Sequence, residues 1–364
     1  QDPLTFVTVV LFERHKLNET FGIGFERMWA FCGALTKGYR DSNHFHNSLH
    51  AADVAYAMHL CLVHSDVVES FDLEPVHVLA LIFAAIAHDF RHPGLTNSYL
   101  IATGDPLALT YNDKSVLESY HVAEAFKLVQ HDKFNLFQAM DAKHHRELRA
   151  LVVRAVLATD MADHFAQVTE LVSTAPKPVT NKMHRRHRRP TAGSSSEPSG
   201  PVSAGPSHIE RDRFLSIMLH MTDISHPFRG LDAHIHFSAG LRDEFFAQGD
   251  LERARGAAPS AAMFDREQYE GEAKFASQQL GFIDAIVQPL LESFCMHLPE
   301  LRPRFVHRLH EVREYWVTVR DSGSTAGATL HPEAQSGSEA PAGAPASEPA
   351  VAAEQNRAVS SSSQ

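Results

Sequence analysis

The sequence predicts an all-α fold, and three observations predict it. Apolar residues recur at three- and four-residue spacing from about Val7 to Leu171 and again from about Phe214 to Val319, the period of helices that bury one face. Period-two alternation, the mark of a half-buried strand, is hard to find over several residues. Punctuation falls where helices should begin and end. Asp72, Glu74 and Pro75 precede the apolar run from Val76, as acids and proline do in a first turn, and His92-Pro93-Gly94 is the expected stop. Within that helix Val78 to Ala87 is the longest unbroken apolar run, ten residues, about half of the ~20 that a membrane span needs, so it reads as a buried helix. Asn112 or Asp113 could cap the helix that carries Ser115 to Val129. A further helix is expected over about Lys274 to Phe294, with Gln279 on the same face as Phe282, Ile283 and Ile286.

Two segments break the pattern. Between 172 and 207 the composition shifts to Pro, Ser and Gly around a basic cluster, Lys182, His184, Arg185, Arg186, His187, Arg188 and Arg189; a long disordered insertion is expected. The cluster could recruit a kinase, a nuclear importer or an acidic partner, although a solvated loop is the plainer reading. From 321 to 364 Ala, Ser, Gly, Pro and Glu dominate, which offers too few apolar anchors to offset the entropy lost on folding and reads as a disordered tail.

Charge and cysteine content narrow the function classes. The 364 residues carry 33 Lys plus Arg against 44 Asp plus Glu, a net charge of −11, which argues against nucleic acid or an anionic membrane as the main partner. Cys32, Cys61 and Cys295 lie far apart with no C-x-x-C, so neither a disulfide framework nor a zinc ribbon is expected, and a reducing, cytoplasmic setting is. Residue 1 is Gln and no signal peptide follows, so a piece of a longer chain is expected.

Histidine is the unusual residue, 25 in an acidic chain. His46 and His50 are four apart, as are His88 and His92, and on a helix each pair would share a face. Chance alone supplies about two such pairs at this abundance, so the neighbours must decide. Asp89 follows His88 at the end of a largely apolar helix, and Asp223 ends another apolar stretch that Pro227 stops. A carboxylate there is costly unless a cation compensates it. Imidazoles with carboxylates and no thiolate suit zinc or another divalent ion in a site with open positions, and two ions sharing a carboxylate could clamp a phosphoryl group. Taken singly, each of these residues could equally be a hydrogen-bonded core or surface group.

The motifs His46-Asn47-Ser48-Leu49-His50-Ala51-Ala52-Asp53-Val54, His88-Asp89-Phe90-Arg91-His92-Pro93-Gly94-Leu95-Thr96-Asn97, Leu157-Ala158-Thr159-Asp160-Met161, Thr222-Asp223-Ile224-Ser225-His226-Pro227 and Gln279-Leu280-Gly281-Phe282 together closely resemble the catalytic domain of class I 3′,5′-cyclic nucleotide phosphodiesterases. The resemblance implies a compact multi-helix phosphodiesterase domain of the His-Asp metallohydrolase type, its N-terminal part in 1–171 and its C-terminal part in 208–320. It implies that His50, His88, Asp89 and Asp223 hold a tight Zn2+, that Asp89 reaches a second Mg2+ or Mn2+, and that a hydroxide between them attacks the cyclic phosphate. His46 would be the general acid that protonates the departing O3′, held with His50 on one helical face. His92, Asn97, Glu118, His121 and Thr159 would orient metal waters or the phosphate, although each could equally be an ordinary polar helix residue. Gln279 would hydrogen-bond the purine and Phe282 stack on it. Ile224, Leu241 and Met263 match the walls of the base slot, Met161 its floor, and Tyr39 a pocket aromatic; Met and Leu at such spacing are more often plain core.

Two cues on the base disagree. His226 stands where cAMP-specific members of the family tend to have asparagine, whereas Leu107 to Asp113 looks most like the cAMP-specific branch. The resemblance therefore implies cAMP as the favoured substrate with cGMP also accepted. A degenerate cyclic-nucleotide-binding or scaffold domain, and a phosphohydrolase of another phosphoester, are the alternatives. A homodimer stays open, and regulatory partners are not legible.

Overall fold

The organising element is the helix Pro75–Ala87, in which every residue from Val76 to Ala87 is buried. A helix apolar all round must be enclosed on every side. Here the helices Ser48–His64, Ala142–Leu157 and His208–Asp223 enclose it, with Pro3–Arg14 packed on Ser48–His64. Glu74 and His77 close a capping box at its start, satisfying two otherwise orphaned N–H groups. This computed structural model describes residues 2–176, 208–268 and 271–322, with no strand among them. The described residues belong to one compact unit, whose apolar cluster runs from Leu4 to Trp316. In the C-terminal part Glu272–Phe282 lies along Arg302–Asp321, and the long helix Leu231–Ala254 crosses toward the N-terminal loops. Phe12, Phe31, Phe83, Phe90, Phe294 and Trp316 are all fully buried, each stabilising the fold by roughly 1.5–3 kcal/mol. No helix among the described residues is long and apolar enough to cross a membrane.

Several local expectations are corrected. The central helix ends at Ala87 with His88 as its C-cap, four residues short of His92, and the chain then turns through Arg91 at φ 66°. Asn112 and Asp113 do not cap the helix Val116–Val129. Asn112 instead closes Pro106–Tyr111 in the left-handed region, and Leu117 N–H donates to Asn97 Oδ1 at 2.9 Å. The rod expected from Lys274 runs Glu272–Phe294, but Ile283–Val287 is a π turn. Pro289 explains it: lacking an N–H, it cannot bond Ala285 carbonyl in the ordinary ladder. The shifted register buries Val287 and leaves Ile286 half-buried. The helix His164–Thr174 enters the 172–207 segment by three residues; 177–207, with the basic cluster, and 323–364 lie outside the described residues.

Candidate functional site

Three helix ends meet at one point. His50 lies in the first turn of Ser48–His64, His88 and Asp89 follow the last turn of Pro75–Ala87, and Asp223 is the last residue of His208–Asp223. Asn47 fixes the first of these, its Oδ1 accepting from Leu49 N–H at 2.9 Å and His50 N–H at 3.3 Å. His50 Nε2 is 3.0 Å from Asp223 Oδ1 and 3.6 Å from Asp89 Oδ2. His88 Nε2 is 3.2 Å from Asp89 Oδ2, 3.3 Å from Asp223 Oδ1 and 3.3 Å from His50 Nε2.

This packing calls for a cation. His88 Nδ1–H donates to Ala85 carbonyl at 2.9 Å, so in the neutral ring Nε2 carries a bare lone pair directed at two carboxylates. Asp89 Oδ2 is buried and has no hydrogen-bond partner. Burial by itself would lower the His88 pKa, yet Asp89 and Asp223 hold it well above 6.5. Burial would likewise raise the Asp89 carboxyl, but the His88 imidazole keeps it well below the carboxylate range. A divalent ion between these atoms satisfies all four groups at once, so the donor set fits a resident metal. The atoms offered by His50, His88, Asp89 and Asp223 lie within 4.8 Å of one another.

His46 adjoins this centre, but not as the spacing suggested. The helix begins at Ser48 with Asn47 extended before it, so His46 precedes the helix, and its ring stands at 86° to that of His50 with centroids 6.0 Å apart. His88 and His92 likewise share no helix. What orients His46 is Glu244, on Leu231–Ala254. Its Oε1 is 2.5 Å from His46 Nδ1, and its Oε2 accepts from Phe45 N–H at 2.9 Å and His46 N–H at 3.1 Å. Burial works against charge on His46, but Glu244 first, then Asp89 and Asp223, raises its pKa from 6.5 to about 9. Sequence reasoning missed Glu244. Nothing local separates it from Asp243 or Glu252, and Glu252 is just as buried; what marks Glu244 is its contact with His46 across 198 positions.

The remaining polar candidates form a layer behind the centre. His92 stacks on His46 with centroids 4.0 Å apart and on His121 at 5.3 Å; its Nδ1 accepts from Gly94 N–H at 3.0 Å. His121 Nδ1–H donates to Phe90 carbonyl at 2.8 Å, leaving a buried, unpartnered Nε2 3.8 Å from Asp89 Oδ1. Asn97 Nδ2 donates to Glu118 at 3.0 and 3.2 Å. Burial, then the neighbouring Asp160, pushes Glu118 up to about 7. Thr159 is buried and donates to Val156 carbonyl.

On the other side lies an aromatic wall. Phe45 packs on the His50 ring at 4.4 Å and lies 6.1 Å from His226, which stacks parallel to Phe282 at 6.0 Å. Gln279 is buried, and its amide makes no hydrogen bond to a described residue. Ile224 and Leu241 are half-buried, whereas Met161 and Met263 are 46% and 37% exposed. Tyr39 is buried against Phe90, its hydroxyl donating to Ile86 carbonyl at 2.9 Å, a position that braces the end of the central helix.

Comparison with known proteins agrees with this geometry. The family model described as 3′5′-cyclic nucleotide phosphodiesterase matches residues 45–308. The chain is 36% identical over 287 residues to the dual specificity calcium/calmodulin-dependent 3′,5′-cyclic nucleotide phosphodiesterase 1B of Mus musculus, covering 79% of this chain and 47% of that protein. It is 34% identical over 314 residues to a probable 3′,5′-cyclic-AMP phosphodiesterase of Caenorhabditis elegans, covering 86% and 43%. The chain thus spans less than half the length of these relatives. The crystal structure of the phosphodiesterase domain of a RhoPDE fusion protein from the choanoflagellate Salpingoeca rosetta superposes with a TM-score of 0.75 at 26% identity, covering 88% of this chain and 91% of that one. With the family match spanning most of the helical body and all of the His-Asp centre, the chain belongs to the 3′,5′-cyclic nucleotide phosphodiesterase family.

Proposed function

We propose that this chain hydrolyses 3′,5′-cyclic nucleotides to 5′-monophosphates in a metal-dependent reaction, with cAMP favoured and cGMP accepted. The observation that carries this reading is the cluster of His50, His88, Asp89 and Asp223 around a buried Asp89 oxygen that accepts no hydrogen bond and faces the His50 and His88 rings. These four residues would hold a tight Zn2+, and Asp89, facing both His88 and His121, would share a second ion, Mg2+ or Mn2+. Such ions supply Lewis-acid polarisation of the phosphoryl oxygens and lower the pKa of water.

The chain's own residues do the rest. His46, tied through Nδ1 to Glu244, keeps Nε2 free to give its proton to O3′ as the P–O3′ bond breaks, and a pKa near 9 keeps it loaded at neutral pH. His92, stacked at 4.0 Å, holds the plane of that ring. His121, Glu118, Asn97 and Thr159 would order water and phosphate around the second ion. Gln279 would pair with the base edge and Phe282 stack on its face, with Ile224, Leu241, Met161 and Met263 around them. The three buried free cysteines support a reducing, cytoplasmic setting.

The test is product formation from cAMP and cGMP side by side with magnesium, before and after chelation of tightly bound metal. Chelation-sensitive release of 5′-AMP or 5′-GMP is expected. Turnover that survives complete removal of metal would refute the centre's role, and binding of both nucleotides without turnover would make this a non-catalytic binding domain.

A further inference from the structure

The long helix Leu231–Ala254 carries one buried polar stripe. Glu244, Gln248 and Glu252 are spaced four apart on it, so they stand one above another on a single face, and all three are buried. Glu244 holds the segment of Phe45 and His46. One turn on, Gln248 Oε1 accepts from Thr96 N–H at 2.9 Å, and its Nε2 donates to Thr96 Oγ1 and to Glu252 Oε1, both at 3.1 Å. Both amide hydrogens are thereby used. The amide cannot turn over, because a flip would set its NH2 against an N–H and its oxygen against a carboxyl oxygen. Glu252 is anchored in turn: Ser260 N–H donates to Oε2 at 2.7 Å and Ser260 Oγ–H to Oε1 at 2.8 Å. The loop that carries Ser260 returns so close to the helix that a Cβ on Gly249 would meet the Phe264 carbonyl oxygen at 1.9 Å.

What this pinned amide grips is the entrance to the Asn97–Glu118 pair. Thr96 caps Asn97–Thr103, its Oγ1 accepting from Tyr99 N–H at 3.3 Å. The next residue, Asn97, ties to the helix Val116–Val129 at two points, its Oδ1 accepting from Leu117 N–H and its Nδ2 donating to the Glu118 carboxylate. An apolar side chain at 248 would deprive Thr96 N–H of its acceptor and loosen this start. We propose that Gln248, held in place by Glu252, is a positioning residue that fixes Thr96 and Asn97, and through them Glu118, for the second divalent ion. The inference rests on the two-ion reading of the site. The bonds of the Gln248 side chain end on Thr96 and Glu252, so its effect reaches the ion only through the Thr96–Asn97 backbone and the Asn97–Glu118 bonds. The tight centre of His50, His88, Asp89 and Asp223 is built on other helix ends and does not depend on it.

The test is Mn2+ binding to the zinc-loaded intact chain, read by electron paramagnetic resonance of free Mn2+ without substrate, with zinc content measured in parallel. Gln248→Met keeps the length of the side chain without its amide. It should raise the Mn2+ Kd by about tenfold, the lower end of what losing an outer partner costs a metal site, with zinc unchanged; the magnesium needed for half-maximal turnover should rise alongside. Gln248→Glu sets two carboxyl groups against one another and should weaken Mn2+ at least as far. Adding Glu252→Gln to it restores a donor and an acceptor across the pair and should bring the Kd back toward wild type, a rescue that general loosening of the helix would not give. Equal Mn2+ affinity in wild type and Gln248→Met, loss of zinc in step with Mn2+, or no rescue in the double variant overturns the proposal; should the Gln248→Glu chain fail to fold, Gln248→Met decides it alone. A wild type that binds no Mn2+ beside its zinc refutes the two-ion reading itself, and the proposal with it.

Discussion

Glu244→Gln is the most informative single change, because it removes a charge while keeping the shape of a buried side chain. Glu244 accepts from Phe45 N–H and His46 N–H and lies 2.5 Å from His46 Nδ1; glutamine retains an acceptor for the backbone. Of the groups that oppose burial, Glu244 does most to raise His46 from 6.5 to about 9. Asp89 and Asp223 act on His46 more weakly than Glu244, so Glu244 is the group whose removal should shift it most. The sign follows from the direction of the shift. The acid form of His46 is present below its folded pKa and lost as pH rises through it, so the basic limb of kcat against pH reports that pKa. Replacing Glu244 should move this limb down by about one to two pH units, each worth about 1.4 kcal/mol. At pH 8 a group of pKa 9 is about nine-tenths protonated and one of pKa 7 about one-tenth, so the variant should lose about tenfold in kcat there and little at pH 6. The assay is a pH–rate profile with metal content measured in parallel, which should be unchanged. An unmoved basic limb with equal rates at pH 8 would refute the role given to Glu244.

Two further predictions follow from the same geometry. Asp223→Ala removes the carboxylate that faces both His50 and His88, so metal content by elemental analysis should fall to near zero along with activity while the helical circular dichroism remains; retained metal would remove Asp223 from the centre. Gln279→Ala should raise KM by about tenfold with kcat little changed if the amide holds ground and transition states alike; an unchanged KM would place Gln279 outside the pocket.

The chain's own pattern reached a long way into this protein, for a definable reason. Helix periods, the Pro75 start and the carboxylates closing apolar helices are signals carried by residues within a few positions of one another, and local propensity and burial pattern write them directly into the chain. They pointed to the pairs His46/His50 and His88/His92 and to Asp89 and Asp223, and the family resemblance singled out His50, His88, Asp89 and Asp223, whose offered atoms lie within 4.8 Å of one another. The spacing argument for His46 misled, because four residues imply a shared face only inside a helix, and Asn47 caps that helix after His46. Tertiary structure alone decided what holds each group. Glu244 is 198 positions from His46, Asn97 caps a helix 20 positions away, and Gln248 fixes Thr96 across 152. Such partners differ from their sequence neighbours only in being buried against a distant segment, and that distinction arises when the helices pack.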